Sequence, residues 1–201
     1  MRAYCPPSED RGQIGKAMKS QDIVVLLKLV SLQDHEQAAG KNAHPDGEDP
    51  YSVRGLEASL GISKTEIGAS IKRSLASGIA IKDRNTKRPN PNRRNLRDFI
   101  TYGLKFVFPA KPGAMQRGAP TAFAAPVLKG SLHSAGSLIH VWPYARGHEM
   151  GQSIEPLFKT VPEAAEKDER LYAYLALVDA IRLGNQREAN LAANLLKERL
   201  G

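Results

Sequence analysis

Residues 52–82 leave this chain few folding options. Val53, Leu56 and Leu60 recur at i, i+3 and i+7, the spacing of one helical face, and Ser52 stands at the start of that pattern. Gly61 interrupts it. Ser63-Lys-Thr-Glu66 then forms a capping-box sequence, in which the serine hydroxyl accepts from the Glu66 amide and the glutamate reaches back. A second helix is predicted to run to about Ser77, with Ile67, Ile71 and Leu75 as its inward stripe and Gly78 as its stop. Ile79, Ala80, Ile81 and Lys82 follow as a short strand. The order is helix, tight turn, helix, strand.

The flanks extend the pattern. Ser20 can cap a helix over residues 21–32 whose Ile23, Val24, Leu26, Leu27, Val30 and Leu32 leave little polar face, so it is predicted to be buried. Residues 1–19 form a polar tail, and residues 33–50, with a turn at Pro45–Gly47, an exposed connection. Residues 83–95 are a basic loop rich in Pro and Asn. Leu96, Phe99 and Ile100 then mark a short amphipathic helix between 93 and 103, and residues 104–108 a strand. Residues 109–159, rich in Gly, Pro and Ala, show no clear periodicity and are expected to form an irregular extension, with one strand near 138–142. Residues 160–201 are helical again. Thr160 and Glu163 form a second capping box, Leu171, Leu175 and Val178 share one face, and Asn185 with Glu188 caps a last helix bearing Ala189, Ala192, Ala193, Leu196 and Leu200. The fold class is mainly α (α+β). A core of three helices over 20–108 carries short strands, an irregular extension spans 109–159, and C-terminal helices fill 160–201.

Charge concentrates on one part of this plan. The 201 residues have a formal net charge of +8. Residues 63–105 hold 11 basic and 3 acidic side chains, net +8, so the flanks cancel. Such a window calls for an anionic partner. With Ile67, Ile71 and Leu75 inward, Thr65, Glu66, Gly68, Ala69, Lys72, Arg73 and Ala76 are expected to face solvent, with Lys64 at the first turn near the DNA strand backbone. The small Gly68 and Ala69 would let the helix approach the floor of a major groove. The following loop adds Lys82, Arg84, Lys87, Arg88, Arg93, Arg94 and Arg97.

Carried by Leu56, Ala58, Leu60, Gly61, Ile67, Ile71, Leu75 and Gly78, the segment 20–108 resembles a winged helix-turn-helix of the MarR-type bacterial regulators. The resemblance implies sequence-specific binding of double-stranded DNA, a recognition helix over 64–77, a basic wing-like loop and a homodimer formed by the terminal helices. One departure is the helix predicted at 93–103, where a typical wing is a compact hairpin. The second reading is a winged-helix protein-interaction module, antitoxin-like or an assembly subunit, whose basic face binds an acidic protein or RNA.

Other chemistries find less support. Cys5 is the lone cysteine. His133, His140, His148 and Glu149 fit no zinc spacing. Ser131, Ser134 and Ser137 sit near histidines without a nucleophile elbow. Residues 111–118 are glycine-punctuated and basic, but more in the manner of a connector than of a phosphate loop. Phe106, Phe108, Phe123, Trp142, Tyr144 and Phe158 are assigned to packing, with a ligand pocket for a small-molecule effector as the alternative. No enzyme, cofactor or metal is expected, no membrane span is long enough, and the chain is expected in the cytoplasm.

Overall fold

A computed structural model describes residues 17–39, 49–129 and 139–201. The turn at Pro45–Gly47, His133, the three serines near it and most of the N-terminal tail lie outside these residues. The fold is mixed α and β. No helix is long and apolar enough among the described residues to cross a membrane.

The first helix, α1 (Ser20–Ala39), is longer than its apolar run. Residues 21–32 are buried throughout. The helix continues because its polar last turns are also held: Asp34 accepts from Arg93 at 2.6 Å and from the Tyr174 hydroxyl at 2.6 Å. Helices α2 (Val53–Leu60) and α3 (Lys64–Ala76) form as the caps predict. Ser52 accepts from the Gly55 amide and Ser63 from the Glu66 amide, while Gly61 takes the left-handed conformation at φ 65°. The Glu66 carboxylate does not return to Ser63. It turns to Lys19 and Gln21, which hold it below the usual carboxylate range.

Strands β1 (Ala80–Lys82) and β2 (Pro89–Pro91) pair antiparallel, with Ala80 opposite Pro91 and Lys82 opposite Pro89. Residues 83–95 are therefore not an open loop: they close a hairpin and enter helix α4 (Arg93–Tyr102). Residues 104–108 are not a strand. Gly103 stays in the right-handed region at φ −112°, and the chain continues into the short helix α5 (Leu104–Val107). That burial pattern hides Leu104 and exposes Phe106 and Val107.

Nor are the described residues of 109–159 irregular throughout: they contain three strands, one of them near the predicted 138–142. Strand β3 (Met115–Thr121) pairs antiparallel with both β4 (His140–Pro143) and β5 (Glu149–Ser153), which pair parallel with each other, so the three strands close. Closure this tight explains the glycines. A Cβ on Gly118 would collide with the Trp142 carbonyl oxygen, and one on Gly151 would lie 2.5 Å from that of Ile139. A sheet built on close backbone approach shows glycines where side-chain alternation would otherwise betray strands.

Helices α6 (Val161–Lys167), α7 (Glu169–Leu183) and α8 (Gln186–Leu200) complete the chain. The Asn185–Glu188 capping box is present in full. The Thr160 box is not: its hydroxyl donates to the Leu60 carbonyl at 2.5 Å instead of capping α6. Helix α7 is central, with nine residues buried. It packs on α1, α6 and α8, and Ala192, Leu196 and Leu200 of α8 are buried within the chain. Of the α8 face that suggests a dimer surface, these three residues are covered within the chain, while Ala189 and Ala193 stay half-buried. One core cluster runs from Ile23 to Leu200. The closed sheet is pinned to α7 by Asp179, which accepts from Trp142 Nε1 at 2.6 Å, Thr121 Oγ1 at 2.9 Å and Arg182 Nη1 at 2.7 Å.

Asp168 clasps α1 to α7. It caps α7 through the Leu171 amide at 3.0 Å and accepts from Lys28 Nζ at 2.8 Å and from Ser31 Oγ. Burial opposes its ionisation, but the Leu171 amide, Lys28 and Ser31 outweigh that and hold the carboxyl below its usual range. A depressed folded-state pKa adds stability that is complete above the unfolded value, near 3.9, and is lost as pH falls through the folded one. Asp168→Asn is expected to lower unfolding free energy by about 3 kcal/mol at pH 7, because Lys28 is left buried without its anion. In urea titrations that gap from wild type should begin to narrow below about pH 4 and close only below the depressed folded-state value. A gap unchanged between pH 7 and pH 3 would contradict the clasp.

Candidate nucleic-acid interface

Helix α3 divides its residues by what α1 offers. Ile67, Ser70, Arg73 and Ser74 are buried. Ile71 and Leu75, expected on the inward stripe, are only half-buried. The face is rotated because Ser70 and Ser74 are small, and because Asp22 of α1 receives a charged residue. Arg73 Nε reaches Asp22 Oδ2 at 2.8 Å and Nη2 reaches Oδ1 at 2.6 Å, with the two side chains 5% and 0% exposed. Arg73 is therefore not a solvent-facing contact residue, and its assignment to the binding face is corrected.

The opposite face of α3 is open. Lys64, Thr65, Lys72 and Ala76 are exposed, and Gly68 and Ala69 are half-buried. A Cβ at Gly68 would meet nothing within 4 Å. Lys64 faces Glu57 across the turn at 3.5 Å, with both side chains substantially exposed. The turn itself is fixed from a distant part of the chain, by the bond from Thr160 to Leu60.

The hairpin after α3 is rigid at both ends. At its base the Asn92 amide bonds the Ile79 carbonyl at 2.8 Å, Asn95 Nδ2 bonds the Gly78 carbonyl at 3.0 Å, and Gln33 of α1 bonds Asn90 at 2.9 Å. At its tip Asp83 Oδ1 accepts from the amides of Asn85 and Thr86 and from the Thr86 hydroxyl, which keep the carboxyl below its usual range. Lys87 adopts φ 60°, and its Nζ donates to the Arg84 carbonyl at 2.7 Å. The Asn and Pro content that suggests a loop here thus supplies the anchors of a hairpin.

The basic side chains separate into two sets. Arg88 pairs with Asp49 at 3.0 Å and Glu36 at 3.6 Å and lies 4.4 Å over the Tyr51 ring. Arg93 pairs with Asp34, and Arg97 with Asp98. The Arg88 and Arg93 pairs, like that of Arg73, join distant parts of the chain, whereas Arg97 pairs only with its neighbour on α4. Lys72, Lys82, Arg84, Lys87 and Arg94 are exposed and have no acidic partner among the described residues. They lie on α3, on the hairpin and in the first turn of α4.

No protein-family model, curated protein or solved structure matches this chain.

The remaining candidates disperse. His140 is half-buried in β4, and burial keeps its pKa below the usual value, against the pull of Asp179 and Glu188. His148 is exposed. Among the described residues no group of three or more His, Cys, Asp or Glu side chains could hold a metal. Sequence reasoning missed Asp22, because an acid inside an apolar helix gives no sign of which distant arginine it will meet. Phe106, assigned to packing, is instead 75% exposed, and the neighbouring Tyr102 and Val107, at 73% and 53% exposure, gave no signal in the sequence.

Proposed function

We propose that this protein binds double-stranded DNA sequence-specifically, as a winged helix-turn-helix transcriptional regulator. Helix α3 would enter the major groove, and the hairpin would follow the phosphate backbone. The observation that supports this best is the outward face of α3. Thr65, Gly68, Ala69, Lys72 and Ala76 make no core contact that folding requires, and small residues at its centre allow close approach to base edges. Lys82, Arg84 and Lys87 sit on a hairpin that is already ordered, so little conformational entropy is lost when they meet phosphates. The order of α1, α2, α3 and hairpin accords with the resemblance read from the sequence. Dimerisation through α7 and α8 would require their covered faces to be released, so the proposal places recognition on each chain's own α3.

Gly68 tests this directly. Gly68→Ala is expected to raise stability by about 1 kcal/mol, since glycine is the poorer helix former and the added methyl meets open space. Gly68→Trp should also fold, yet should block a helix from entering the groove. Selection from a randomised duplex pool should enrich one sequence with wild type and none with Gly68→Trp. Equal enrichment by both would place the DNA contact elsewhere. The alternative, a protein-interaction module whose basic face takes an acidic protein or RNA, draws on the exposed Tyr102, Phe106 and Val107. It would be favoured by a stoichiometric acidic protein or RNA ligand with no duplex bound at low salt.

A further inference from the structure

A cavity of about 320 Å³ opens between the closed sheet and helices α6 and α7. Its floor is apolar, made by Pro120, Pro162, Ala165 and the Tyr172 ring. That floor is fixed. The Tyr172 hydroxyl donates to the Pro120 carbonyl at 2.7 Å, and its ring lies 5.7 Å from that of Trp142, which Asp179 holds in turn. The loop above it is equally fixed, because Gly147 is packed directly against the Gly118 backbone. The volume falls at the lower end of the range for small-molecule sites, which are commonly apolar with a few placed polar groups.

The rim shows which charge would be favoured. Arg146 Nε donates to the Tyr144 hydroxyl at 2.6 Å, and that hydroxyl donates to Glu166 Oε2 at 2.7 Å. The Arg146 guanidinium also lies 3.1 Å from Glu166 and 5.2 Å from the centre of the Tyr144 ring. The rim thus already holds a planar cation between a carboxylate and an aromatic face, using a side chain that is 66% exposed and that a bound cation would have to displace. Glu149 adds a second carboxylate, so the lining carries two acids against one guanidinium and the exposed imidazole of His148. Tyrosine faces attract cations further.

We propose that this pocket binds a small organic cation: a one-ring or branched-alkyl body seated on the floor, with an ammonium, amidinium or quaternary nitrogen between Glu166, Glu149 and Tyr144. None of these residues belongs to α3 or the hairpin, so the site stands or falls independently of DNA binding.

The test is calorimetric titration of the full chain with benzyltrimethylammonium, and with phenylacetate as an anion of similar size. The cation is expected to saturate one site with a Kd below about 1 mM, and the anion to bind at least about tenfold more weakly. Glu166→Gln lies at the exposed rim and should leave the melting temperature unchanged, and Tyr144→Leu, half-buried beside it, should lower it by under about 3 °C. Each should weaken the cation severalfold, and Glu149→Gln should do so independently. Phenylacetate binding as tightly as the cation would overturn the assignment, making this an anion site built on Arg146. So would the absence of saturation by the cation, or its undiminished binding to the Tyr144→Leu/Glu166→Gln double variant.

Discussion

Duplex DNA affinity is expected to fall on the order of 10²–10³-fold when Lys72, Arg84 and Lys87 are replaced together by alanine, with the melting temperature unchanged. All three are exposed, and none has an acidic partner among the described residues. Their removal therefore costs the fold little, while each neutralised phosphate contributes through the counterions it releases. The salt dependence carries the sharper information. The slope of log K against log salt should become shallower by about 0.9 for each phosphate that the variant no longer neutralises. Anisotropy titrations of a labelled duplex across a salt series would measure both quantities. Arg88→Ala and Arg93→Ala serve as contrasts, since both guanidiniums already face carboxylates, at 3.0 Å and 2.6 Å. They should leave the salt slope unchanged. If the triple variant keeps the wild-type slope while Arg88→Ala flattens it, the binding face has been drawn on the wrong side of the hairpin.

This division between two kinds of basic residue marks how far the sequence can be read. Local signals hold wherever the cause is local. The Ser52, Ser63 and Asn185 caps, the Gly61 turn and the stops near Gly78 and Gly184 all follow from hydrogen bonds made within three or four residues. They fail where a distant partner decides. Thr160 leaves its own capping box for a carbonyl one hundred positions away. Strand β4 falls near the predicted 138–142, but β3 and β5 obey close backbone approach, of Gly118 to Trp142 and of Gly151 to Ile139, for which hydrophobic alternation offers no cue. Small apolar residues on α8 suggest a surface for a second copy, whereas they let α8 seat on this chain's own α4 and α7. The charge window is legible as a total, but not residue by residue. Arg73, Arg88 and Arg93 meet acids from distant parts of the chain, and only geometry shows which cations are neutralised in this way.

Lys72 and Arg73 make that point experimentally, because adjacent residues of one helix are expected to give opposite phenotypes. Arg73→Ala should lower the unfolding free energy by about 3–5 kcal/mol, since it leaves the Asp22 carboxylate buried with its main counter-charge gone. For a chain of this size that is a fall of about 10 °C in melting temperature. Lys72→Ala, on an exposed position, should change the melting temperature by under about 1 °C and act on DNA alone. Asp22→Ala should resemble Arg73→Ala. The double variant Asp22→Leu/Arg73→Met should recover much of the loss, because a buried pair replaced by apolar side chains of similar size removes the unpaired charge together with its partner. A thermal-unfolding cycle over wild type, Asp22→Ala, Arg73→Ala and Asp22→Ala/Arg73→Ala measures the coupling. Near-additive losses would mean that the two side chains act separately, and Arg73 would again be a candidate to touch DNA. A coupling of several kcal/mol would fix Arg73 as the bolt between α1 and α3, which sets the tilt at which Thr65, Gly68 and Lys72 are presented.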